Sequence, residues 1–89
     1  MKSNYYYRTD VNQHNSTSRR LKLLALMQEQ EISVYTRLSI TRHISKLEKE
    51  QGDKMVEELI SIIENGAREK EIIQIAEDKY KVKMLIEEH

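Results

Sequence analysis

Apolar residues recur at helical spacing over most of the chain. In "SRRLKLLALMQEQ", residues 18–30, Leu21, Leu23, Leu24, Leu26 and Met27 surround much of the axis. Such a helix is buried in a core or in an oligomer seam. The preceding "STS" offers N-caps at Ser16 to Ser18. Ser33 can cap the next element, where the phases split: Val34 and Leu38 share one face, and Ile40, Ile44 and Leu47 share a nearly opposite one. Either this helix is sandwiched between two layers, or it breaks near Ser39 into a short helix 34–38 and a longer one 40–51.

The clearest pattern is "DKMVEELISIIEN", residues 53–65. Val56, Leu59, Ile60 and Ile63 form a stripe at i, i+3, i+4, i+7, widened by Met55 and Ile62. Asp53 after Gly52 reads as its N-cap, and Asn65-Gly66 stops it. Beyond residue 70 the pattern changes. Ile73 and Ile75, then Tyr80, Val82, Met84 and Ile86, alternate with polar residues, which is a strand period. The helical alternative uses Ile72, Ala76, Tyr80 and Met84. Alternation favours the strands, with "AEDK" as the turn between them. At the other end, residues 1–16 show no helical period, while "YYYRTDV" has strand-favouring chemistry. The pattern therefore predicts an α+β, mainly α, fold of three to four helices with a C-terminal β-hairpin. Residues 1–16 form a polar arm or edge strand, and residues 17–89 form one small domain.

Composition narrows this picture. The chain has 89 residues, with no proline and only two glycines. That is enough for one small domain with a modest core, which makes self-association through the apolar surface of helix 18–30 or helix 53–65 an expectation. There is no cysteine, so disulfides and thiolate metal sites are excluded. His14, His43 and His89 are scattered without metal-ligand spacing, and neither a phosphate loop nor a nucleophile elbow occurs. An enzyme is not expected, nor any cofactor. No apolar run approaches a membrane span and no signal sequence is recognisable, so the expected location is the cytoplasm, away from membranes.

Net charge is zero but unevenly placed. Residues 1–47 carry eight Lys/Arg against three Asp/Glu, a balance of +5; residues 48–89 carry seven against twelve, a balance of −5. Either the halves face different partners or they neutralise each other. Arg19 and Arg20 stand at the positive end of a helix dipole, which calls for an acidic neighbour or an anion.

Two sets of residues can bind. Tyr5, Tyr6, Tyr7 and Arg8, with Arg19 and Arg20, combine the residue types enriched at protein-binding hot spots; a partner with an acidic surface would suit them. Arg42, Lys46 and Lys49 fall at i, i+4, i+7 opposite Ile40, Ile44 and Leu47. Together with Arg37 they form a basic ridge able to follow nucleic-acid phosphates. The stretch "TRHISKLEK" resembles the recognition helix of helix-turn-helix regulators. In that register, however, Ser33, Arg37 and Ser39 occupy apolar positions of the motif, and Leu38 stands where the turn takes glycine. "LLALMQEQEISVYT" resembles the first helix, turn and second-helix cap of ribbon-helix-helix proteins, with "YYYRTDV" as the DNA-reading strand. The polar gap after Asn12 departs from that pattern, and neither family is assigned. The leading expectation is a small non-enzymatic regulator, a steric inhibitor or modulator of another protein, of the kind carried by phages and plasmids. The alternative is a dimeric DNA-binding transcriptional regulator using the basic N-terminal half.

Overall fold

The computed structural model describes residues 15–85, which form four helices: α1 Ser16–Glu29, α2 Val34–Lys46, α3 Lys49–Glu64 and α4 Glu69–Tyr80. No strand occurs among the described residues. The fold is all-α rather than α+β, and the expected C-terminal β-hairpin is absent.

The α3 stripe organises the rest. Met55, Val56, Leu59, Ile60 and Ile63 are buried in one cluster with Leu23 and Met27 of α1, Ile40 and Ile44 of α2, and Ile72 and Ala76 of α4. Each of these side chains except Ala76 contributes about 1.5–3 kcal/mol on leaving water. This burial takes up most of the apolar face of α3, with Ile62 left half-buried. On α1, Leu23 and Met27 point inward while Leu21 stays exposed, so that helix is only partly enclosed.

The helix ends have local causes. Asn15, not Ser16 to Ser18, caps α1 by accepting from the Ser18 N–H at 2.8 Å. α1 closes in a Schellman motif: the N–H groups of Glu31 and Ile32 donate to Gln28 O and Met27 O, both at 3.0 Å. Glu31 adopts the left-handed conformation this demands (φ 56°). α3 ends the same way at Asn65-Gly66, as its sequence suggests. The N–H groups of Gly66 and Ala67 donate to Ile63 O and Ile62 O, with Gly66 at φ 100°.

Two boundaries differ from expectation. α2 does not break near Ser39; it runs unbroken to Lys46, and the break falls at extended Leu47 and Glu48. α3 therefore starts at Lys49, and Gly52 is buried inside its first turns rather than ending a helix before an Asp53 cap. A Cβ on Gly52 would lie 3.4 Å from Ile44 O and 2.9 Å from Arg20 Nη2. The glycine thus sits where α3 approaches both α2 and α1. The sequence does carry a signal for the true boundary. His43 and Lys46 in the last turn of α2, followed by Glu50 in the first turn of α3, suit the two helix dipoles.

The hairpin gives way to α4 for an energetic reason. A lone two-stranded hairpin is marginal, whereas a helix satisfies its own backbone and lays Ile72 and Ala76 together on α3. Glu71 supports its start by accepting from the Arg68 N–H at 2.7 Å. Glu69 also reaches α2, accepting from the Ser33 N–H (3.2 Å) and the Thr36 hydroxyl (2.8 Å). After α4, left-handed Lys81 (φ 58°) redirects the chain, and residues 81–85 run without regular structure. Their alternation is genuine, since Val82 is buried and Met84 half-buried. It reflects one face packed on helices, not a strand ladder.

Charge follows the same layout. Arg19 forms a fork with Glu57 (2.6 and 2.8 Å), Lys22 meets Glu64 at 3.1 Å, and Arg20 lies 3.7 Å from Asp53. All three pairs join α1 to α3. Glu58 accepts from Lys79 at 2.8 Å and from the Tyr80 hydroxyl, tying α4 to α3. Partly exposed pairs are worth about 0–1 kcal/mol each, so burial holds the helices together and the pairs set their rotation.

The Arg19 hydrogen bonds, against a smaller opposing effect of burial, hold the Glu57 carboxyl below its usual 4.5; those of Lys79 and then Tyr80 do the same for Glu58. Depressed carboxyl values stabilise the fold above pH 4.5, and that contribution is lost as pH falls through the lower folded values. Urea denaturation across pH 2–6 should therefore show an acid limb that flattens in Glu57→Gln; an unchanged limb would contradict the assignment. The helical register of α4 is tested by a neighbouring pair. Ile72→Ala should cost about 2–4 kcal/mol and Ile73→Ala about 1 kcal/mol in chemical denaturation, whereas a hairpin register would reverse their order.

Candidate binding face on the second helix

α2 carries no acid. From Ile32 to Leu47 the chain holds Arg37, Arg42, His43 and Lys46 and neither Asp nor Glu. Its two apolar faces meet different fates. Ile40 and Ile44 enter the core, whereas Val34 and Leu38 remain 48% and 47% exposed. The helix is neither sandwiched nor broken; one apolar face is left open. Val34, Leu38, Arg42 and Lys46 recur every fourth residue, so an apolar start passes into a basic end along the outward side.

Residues 83–85 complete this face. Ser39, almost fully buried, donates its hydroxyl to Tyr35 O and accepts from the Leu85 N–H, both at 2.6 Å. The contact spans 46 positions of sequence and pins the end of the described chain against α2. Between the two lies a cavity of about 250 Å³ lined by Ser39, Arg42, His43, Lys46, Lys83, Met84 and Leu85. No carboxylate of the described residues pairs with Arg42, Lys46 or Lys83. A second cavity of about 410 Å³ shares His43 and is lined also by Leu47, Gln51, Lys54, Glu58, Lys79 and Tyr80. There the charges are answered. Glu58 engages Lys79 and Tyr80, and Tyr80 is pushed up to about 12 by burial and by its bond to Glu58, so its hydroxyl remains a donor.

The residues singled out in the sequence are distributed unevenly. Tyr5, Tyr6, Tyr7 and Arg8 lie outside the described residues. Arg19 and Arg20 face Glu57 and Asp53 of α3, which answers the unfavourable dipole position within the chain itself. Arg37 is half-buried and donates from Nε to Ile32 O at 3.1 Å. Arg42 and Lys46 are exposed and share the cavity. Lys49 does not continue their ridge; it opens α3 on the far side of the break. Ser39, Lys83 and Leu85 were not apparent as site residues. Their only sequence signal is the run of alternating lysines at 79, 81 and 83.

Among the described residues no cluster of His, Cys, Asp or Glu could hold a metal ion, and no helix is long and apolar enough to cross a membrane. No family model, no curated protein and no solved structure matches the chain.

The Ser39 contact generates a direct test. Ser39→Ala leaves the Leu85 N–H without its acceptor. It should cost about 1 kcal/mol in global stability and speed hydrogen exchange of the Val82 and Leu85 amides by roughly tenfold. Unchanged exchange at those amides would show that the segment is held by something else.

Proposed function

We propose that the protein is a non-enzymatic regulator that docks on another protein through the outer face of α2 and the adjoining residues 83–85. The observation that carries this reading is the open face itself, Val34 and Leu38 exposed beside Arg42 and Lys46 on an acid-free helix. An apolar stretch continued by a basic one suits a partner whose own apolar ridge is bordered by carboxylates. The action would be steric: the bound protein covers a surface its target needs.

Nucleic-acid binding is the second reading. It is favoured by Arg42, Lys46 and Lys83 lining one cavity without a carboxylate partner among the described residues. The exposed leucine and valine add nothing to a phosphate contact, which is why the protein partner ranks first.

Affinity capture with the full chain, with and without nuclease, separates the two. The protein reading expects one stoichiometric partner that survives nuclease and is lost with Leu38→Asp but kept with Leu21→Asp, a change on the exposed side of α1. The nucleic-acid reading replaces it if binding is abolished by nuclease and Arg42→Ala/Lys46→Ala lowers the log–log salt slope by about 2.

A further inference from the structure

We propose that the cavity between α2 and residues 83–85 is a binding site for a phosphate monoester. Its walls bring Arg42 and Lys46 from one helix and Lys83 from the end of the chain onto one space, with His43 beside them. Like charges repel, so three cations lining one space, with no acid among the described lining residues, favour an anion there. Three basic side chains elsewhere in this fold meet a carboxylate of another helix: Arg19 meets Glu57, Lys22 meets Glu64, and Lys79 meets Glu58. The neighbouring cavity has Glu58 in its wall; among the described residues this one has no carboxylate.

The choice of anion follows from charge, donors and size. A single carboxylate brings one negative charge, which leaves most of the cluster unanswered. A phosphate monoester carries about −1.5 to −2 with three strong acceptor oxygens. Arg42 offers a planar fork to two of those oxygens, and the lysines offer point charges from either side. About 250 Å³ is ample for a phosphoryl group with the first atoms of its ester, yet below the usual range for a large organic ligand. Ser39 contributes position rather than charge. Its hydroxyl is engaged with Tyr35 O and the Leu85 N–H, and this holds residues 83–85, and with them Lys83, across the mouth from Arg42.

The site shares Arg42 and Lys46 with the docking face but needs no protein partner to be occupied. The ester can be a free small molecule or a phosphorylated side chain; the dianion is common to both.

The test is a titration of the full chain, followed by amide NMR shifts at matched ionic strength. The probes are inorganic phosphate, a neutral phosphoserine peptide, the same peptide without phosphate, and acetate. Saturable shifts at residues 39–46 and 83–85 are expected with phosphate and the phosphopeptide, with Kd of about 1 mM or tighter. Acetate and the plain peptide should produce none. Lys83→Gln should weaken binding by about tenfold, the loss of one charge-assisted contact. Lys70→Gln, an exposed lysine on α4, should leave it unchanged. Tighter binding of the phosphopeptide than of phosphate identifies a side-chain ester, and equal binding a free one. Acetate acting like phosphate, an absence of saturation, or equal effects of the two lysine variants would overturn the proposal. Leu38→Ser, a change that adds no charge beside Arg42, keeps the two readings apart: it should weaken partner capture and leave phosphate binding intact.

Discussion

Everything in this fold depends on the apolar stripe of α3. Met55, Val56, Leu59, Ile60 and Ile63 are the surface onto which α1, α2 and α4 are laid, and α3 contacts each of them. A chain this short has few alternatives. The other three helices each contribute only a pair of buried apolar residues or slightly more, so none could form a core alone. The stripe also explains why the C-terminal segment is helical. Leaving α3 uncovered beside α4 would expose isoleucines, and α4 covers them while satisfying its own hydrogen bonds.

Charge placement is a consequence of that packing. Once α1 lies along α3, Arg19, Arg20 and Lys22 face Asp53, Glu57 and Glu64. The basic first half and acidic second half of the sequence are thus largely reconciled inside one chain. α2 is the exception. It packs through Ile40 and Ile44, and none of its cations pairs with a carboxylate of the described residues. The binding face arises from this remainder: the helix with no acid also leaves Val34 and Leu38 uncovered.

The end of the described chain gives that face its shape. Left-handed Lys81 turns the backbone, buried Val82 anchors it, and the Ser39–Leu85 contact fixes it across α2. A serine in mid-helix is an ordinary way to return a hydroxyl to the backbone four residues earlier. Here the same oxygen also receives an N–H from a distant segment, which places Lys83 on the same cavity as Arg42.

By itself the sequence determined the elements whose cause is local. The α3 stripe, the Asn65-Gly66 stop and the helical nature of residues 18–30 were all legible, because spacing and turn chemistry act over a few residues. It also exposed the two-faced character of α2. It did not determine the boundary at Leu47, where Gly52 and Asp53 imitate a helix start. The tail was misread because alternation reports only that one face is buried, not what buries it. Which of α2's two faces would stay open, which cations would find carboxylates, and that Ser39 would meet Leu85 were decided by tertiary structure alone. Each depends on how α3 orients its neighbours, and contacts between residues dozens of positions apart leave no trace in local spacing.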